Sequence, residues 1–163
     1  MKEFFKVNPD EGCATDLGTI TLDFAQRERS RLRALLDNGD DAGLFLPRGT
    51  VLKEGDVLAN EEGEFVIVKA AMQSVSTITA DSTHLLLRIA YHLGNRHVPL
   101  QVEPNWLRYV HDHVLDDMVR GLGGTVTAEQ APFQPETGAY GGGHHHHDNR
   151  LAPAHSHSHG HHH

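Results

Sequence analysis

Cysteine is nearly absent: Cys13 stands alone in 163 residues. That excludes an intrachain disulfide, and it excludes a zinc ribbon, which needs paired cysteines. Long apolar runs are missing too. The stretches at 65–68 and 85–87 fall far short of the ~20 residues that span a bilayer. The opening Met1-Lys-Glu-Phe-Phe-Lys6 has no apolar length for a signal peptide, so the expected compartment is the cytoplasm. Positive charge is short, with 14 Lys and Arg against 22 Asp and Glu and a net charge of −8 when histidine is neutral. A chain held to nucleic acid by phosphate contacts, or docked on anionic lipid, would show the opposite balance. Several enzyme signatures are also lacking: there is no H-E-x-x-H, no phosphate-cradling glycine loop and no G-x-S-x-G elbow. Cys13 sits near Asp10, Glu11 and Asp16, whose charge disfavours a thiolate, so it makes a poor nucleophile.

Histidine is what the chain has in excess. It holds 15, ten of them in the last twenty residues. The length allows one ordinary domain or two small ones, and the pattern divides into three parts.

Residues 1–72 read as a small, irregular β-domain. Gly18-Thr-Ile-Thr-Leu-Asp-Phe24 alternates like a half-buried strand, with Ile20, Leu22 and Phe24 on one face. Asp37-Asn-Gly-Asp40 is a strong turn signal, and Gly43-Leu-Phe-Leu-Pro47 is a short apolar strand. Arg27, Arg29, Arg31 and Arg33 alternate, which on a strand would align four guanidinium groups. Such a row is a solvated face or a docking surface for an acidic partner.

Residues 73–143 read as strand, helix, strand, strand, helix, strand. Ser74-Val-Ser-Thr-Ile-Thr79 is rich in β-branched residues, and Asp81 and Ser82 can cap a helix beginning just after them. Leu85, Leu86, Ile89, Ala90 and Leu93 recur at helical spacing, which predicts a helix over 83–93 with Gly94 as its left-handed end. Strands are expected at 98–102 and 106–110. A second helix comes next, with Val114, Leu115, Met118, Val119 and Leu122 as its buried stripe and Asp116-Asp117 on the solvated side. A last short strand begins at Thr125. This βαββαβ order is the ferredoxin-like split arrangement, giving an α+β chain overall. So small a core would gain from dimerisation.

Residues 144–163 form a histidine-rich tail: His144, His145, His146, His147, His155, His157, His159, His161, His162 and His163. Almost nothing apolar comes after Tyr140, so the tail is expected to be disordered without a ligand. Imidazole suits nickel, copper, zinc and cobalt, and clustered histidines can wrap one ion with several nitrogens. A purification tag would usually be one unbroken run. Here Asp148-Asn-Arg-Leu-Ala-Pro-Ala154 and alternating Ser and Gly interrupt it, so the tail reads as native.

Five histidines remain. His84 falls in the first turn of the predicted helix and reads as a plain exposed residue. His92 lies near its C-terminus, where an imidazole complements the helix dipole. His97 comes after Gly94-Asn-Arg96 in a loop, where neither periodicity nor burial explains it. His111-Asp112-His113 would point both rings to one side if strand geometry persisted to residue 113, with Asp112 free to orient a ring.

Two runs resemble a known family. Ala90-Tyr-His-Leu-Gly-Asn-Arg-His-Val-Pro99 is similar to the central signature of the UreE urease accessory proteins, and Leu107-Arg-Tyr-Val-His-Asp-His-Val-Leu-Asp-Asp-Met118 to their second signature. Gly43-Leu-Phe-Leu-Pro-Arg-Gly-Thr-Val-Leu52, Gly55-Asp-Val-Leu58 and Pro132-Phe-Gln-Pro-Glu-Thr-Gly-Ala-Tyr140 extend the likeness over nearly the whole chain. The resemblance implies an N-terminal β-domain, a ferredoxin-like C-terminal domain and a homodimer formed through that domain. It implies a non-enzymatic nickel chaperone that passes Ni2+ to the urease apoprotein complex with an accessory GTPase. It assigns His97 to a nickel shared across the dimer, His111 and His113 to supplementary binding, and the tail to extra capacity.

Two other functions fit the residues less well. A metalloenzyme could use His97, His111 and His113 as a three-histidine site, but no general base is evident. A nickel store would work mainly through the tail.

Overall fold

The computed structural model describes residues 1–138. Its first half runs β1 (Lys2–Phe4), β2 (Lys6–Val7), β3 (Thr15–Leu22), a helical turn α1 (Phe24–Arg27), β4 (Arg31–Leu35), β5 (Asp41–Phe45), β6 (Val57–Ala59) and β7 (Glu64–Ala70). These strands form two sheets, ordered β1-β5-β4 and β2-β6-β7-β3. The alternation in β3 does what a strand period of two requires: Ile20 and Leu22 are buried while Thr21 stays exposed. They join Phe4, Leu44, Leu58, Val66 and Val68 in one core. Asn38 and Gly39 close the β4–β5 hairpin. Gly39 takes a positive φ of 95°, and Leu36 N–H donates to the Asp40 carbonyl at 2.8 Å.

The row of four arginines does not form. Asp23 caps a short helix instead: its carboxylate accepts from Gln26 N–H, and the Gln26 side chain accepts from Asp23 N–H. This capping box turns the chain just where the alternation would have continued. Phe24 therefore starts α1 rather than extending β3. Arg27 ends α1 with its side chain buried, and only Arg31 and Arg33 lie on β4.

The second half runs β8 (Met72–Thr79), α2 (Thr83–Asn95), β9 (Gln101–Val102), β10 (Leu107–Val110), α3 (His113–Leu122) and β11 (Thr125–Pro132). Its four strands are ordered β11-β8-β10-β9, and the neighbouring pairs are antiparallel. Both helices cover one face. Ile78, Leu107 and Tyr109 from the sheet pack there with Ile89 and Leu93 of α2 and with Leu115 and Val119 of α3. The opposite face carries Val75 and Ala131, which pack with Phe133 against Phe24 of the first half. The rings of Phe24 and Phe133 meet edge to face at 5.4 Å.

Four local expectations change. Helix α2 does not stop at Gly94; it continues through Asn95, and Arg96 N–H still reaches back to the Leu93 carbonyl. The strand expected at 98–102 shrinks to Gln101–Val102, because Pro99 has no N–H for a ladder. Val114 is 52% exposed. The buried stripe of α3 is Leu115, Asp116 and Val119, so Asp116 is turned inward.

Candidate metal centre

His97 is the residue after the C-cap of α2. Arg96 is still right-handed, and His97 comes next with φ at +57°, one of two non-glycine residues with positive φ among the described residues. Its N–H donates to the Gly94 carbonyl at 3.0 Å, which closes the helix end. Glycine is the usual residue there. Histidine is more tolerant of the left-handed region than β-branched residues, yet it still carries strain. His97 is exposed. It lies at the end of a helix whose outer side carries Leu87 at 64% and Tyr91 at 71% exposure. These two are one helical turn apart, so they share a face.

His111 and His113 do not share a strand face. β10 ends at Val110, and Asp112 caps α3 by accepting from Val114 N–H at 2.8 Å and Leu115 N–H at 3.2 Å. The helix begins at His113, so the period of two is lost between the histidines. Asp112 satisfies the helix terminus instead of holding a ring.

A different carboxylate meets His111. Asp116, one helical turn beyond Asp112, puts Oδ2 3.3 Å from His111 Nδ1. Ser76 Oγ lies 3.2 Å from the same nitrogen. The Tyr109 hydroxyl donates to Asp116 Oδ1. Asp116 and Ser76 are buried, whereas the His111 side chain is 44% exposed. Burial, reinforced by the hydrogen bond to Asp116, pushes the Tyr109 hydroxyl well above its ordinary pKa, so it stays protonated and donates.

His84 is exposed in the first turn of α2, and His92 lies in its last turn with its ring against Tyr91 at 5.5 Å. The tail histidines 144–147, 155, 157, 159 and 161–163 lie outside the described residues. Among the described residues, no three His, Cys, Asp or Glu side chains converge as a ligand set. His97, His111 and His113 therefore do not assemble into one three-histidine site within the described chain.

Sequence reasoning missed Tyr109, Ser76 and Asp116 as one unit. A signal for Asp116 was present: it stands three residues before Val119, on the same stripe. An acidic residue is ordinarily assigned to solvent, and that prior hid it.

Comparison with known proteins settles the family. The family model described as UreE urease accessory protein, N-terminal domain, matches residues 8–71. The one for the C-terminal domain matches residues 73–163. The urease accessory protein UreE of Proteus mirabilis is 60% identical over 124 residues, covering 76% of this chain and 77% of its own. That of Vibrio parahaemolyticus is 60% identical over 133 residues, covering 77% and 84%. That of Pseudomonas putida strain GB-1 is 59% identical over 132 residues, covering 80% of each. The chain belongs to the UreE family of urease accessory proteins. It is an accessory protein of urease rather than an enzyme.

Proposed function

We propose that this protein is a homodimeric nickel chaperone of the cytoplasm that delivers Ni2+ to apo-urease during maturation. Its partners are the urease apoprotein and the accessory GTPase. In this reading residues 1–72 bind partners, and residues 73–143 form a ferredoxin-like unit that dimerises and holds metal. The tail over 144–163 adds nickel ligands. The strand order β11-β8-β10-β9, with a helix after the first and third strands of the unit, supports the ferredoxin-like assignment.

The observation behind the proposal is His97. A left-handed, exposed histidine, just past the end of a helix that also exposes Leu87 and Tyr91, is strained for stability and well placed for contact. One chain gives it no set of three potential ligands among the described residues. A second copy related by a two-fold axis would bring an identical His97, and both apolar faces would be covered. Two imidazoles leave coordination positions open, so the ion is held yet can pass to an incoming ligand. Copper binds nitrogen sites more tightly than nickel, so selectivity would rest on geometry and on the partner. His111, His113 and the tail histidines are secondary ligands in this account.

The excess of histidine in the tail favours a second reading, a nickel store. Urease activation in cells lacking the native protein separates the two. A chain ending at Gly143 should retain most activation, and full-length His97→Ala should lose most of it. If the truncation alone abolishes activation and His97→Ala does not affect it, the protein is a store.

A further inference from the structure

The polar cluster behind His111 has a direction. Asp116 is buried, and a buried carboxylate needs donors. Tyr109 supplies one at Oδ1. The side chain facing Oδ2 is His111, through Nδ1. If Nδ1 presented its lone pair, two acceptors would face each other at 3.3 Å. With a proton on Nδ1, the ring can donate to Ser76 Oγ at 3.2 Å while that N–H faces the carboxylate at 3.3 Å. The second nitrogen, Nε2, is then left with a lone pair on a ring that is partly exposed.

We infer that Asp116, held in turn by Tyr109, is a positioning residue that fixes His111 in the Nδ1–H tautomer and makes Nε2 its metal-binding atom. The inference rests on the nickel reading only for what Nε2 binds. Metal-bound histidines ordinarily hand their other ring N–H to a carboxylate or carbonyl, and that partner sets both tautomer and ring direction. The chain Tyr109–Asp116–His111 has this form, assembled from the end of β10 and the first turns of α3. Asp112, adjacent to the histidine in sequence, is committed to the helix cap and cannot serve. Among the hydrogen bonds and ion pairs of the described residues, His113 has neither the carboxylate nor the hydroxyl that His111 meets, so the two histidines of the motif are unequal ligands.

Asparagine at 116 inverts the logic. It keeps the size of the side chain but can turn an N–H2 toward Nδ1, which favours the Nε2–H tautomer and blocks the ligand atom. The test is 15N NMR of the histidine rings in the full-length protein at pH about 8, where a free imidazole is neutral. Metal-free protein is measured first, and nickel is then added with paramagnetic broadening read at each ring. His111 should be Nδ1–H in the wild type and shift toward Nε2–H in Asp116→Asn. Nickel should broaden His111 in the wild type, and the variant should need ten-fold or more nickel for the same effect. His97 should respond equally in both proteins. An Nε2–H His111 in the wild type overturns the inference. So does a variant whose tautomer and nickel response both match the wild type. Should Asp116→Asn fail to fold, Ser76→Ala decides. With the hydroxyl gone, a persisting Nδ1–H form supports the carboxylate as the holder, and its loss overturns it. The metal-free tautomer judges the positioning claim, whereas broadening at His97 judges the chaperone reading, so either can fail alone.

Discussion

At the scale of single residues, His97 sets stability against function. The left-handed backbone costs a non-glycine residue about 1 kcal/mol, and glycine would remove most of that cost. His97→Gly should therefore raise stability by roughly 1 kcal/mol, or about 2–4 °C in Tm for a chain of this size, while losing the shared nickel. Thermal unfolding of metal-free protein checks the first half, and an unchanged or lower Tm would contradict the strain argument. The candidate role of His97 was legible in the sequence, because no core or helix pattern accounted for it. Its conformation was not. Gly94 looked like the left-handed residue, and nothing local reveals that α2 would run two residues further. Asp116 was illegible for another reason. Its burial depends on Tyr109 from β10 and His111 just after it, a pairing that no window on α3 contains.

At the scale of elements, the face of the second sheet turned away from the helices is tied by polar contacts. Arg108 on β10 donates to the Thr77 hydroxyl on β8 at 3.0 Å. It also donates to Glu129 on β11 at 2.9 Å and to the Pro132 carbonyl at 3.1 Å. Its guanidinium lies 4.3 Å from the Trp106 ring centre. The Thr77 hydroxyl holds the Glu129 carboxyl below its ordinary value; burial opposes it, and the Arg108 guanidinium adds to the lowering. A carboxylate depressed in the fold stabilises above its unfolded pKa, about 4.3. That contribution disappears as pH falls through the lower folded value. Glu129→Gln should thus lower stability near neutral pH and flatten its decline below pH about 4, as read from urea midpoints across pH. A decline identical to that of the wild type would show that the contact contributes nothing. The strand and helix order of this half was legible because two amphipathic helices and β-branched strands alternate clearly. In the first half, a single capping box at Asp23 was enough to defeat the arginine alternation.

At the scale of the whole molecule, the two halves meet at Arg27. Its guanidinium donates to the Leu52 carbonyl of the first half, and to the Phe133 carbonyl and the Gln134 side chain just after β11. Gln73 accepts from Phe24 N–H beside it. Burial pushes the arginine pKa down, while Asp23, Glu54 and Glu28 pull it up, and the group stays a cation. Arg27→Met keeps the apolar stem but leaves buried carbonyls without a donor. This loss outweighs the relief of unburying a charge whose Nε has no partner among the described residues. The variant should unfold with stability lower by roughly 2 kcal/mol, and a more stable variant would reverse that balance.

The central claim is that His97 from two subunits makes one nickel site independent of the tail. The most direct measurement is a nickel titration by calorimetry, with mass in solution tracked at each step. It compares the chain ending at Gly143 with the same chain carrying His97→Ala. About one nickel per dimer is expected for the first and none at that affinity for the second. Loss of all binding on removing residues 144–163, or a His97→Ala chain that still binds one ion per dimer, would contradict it.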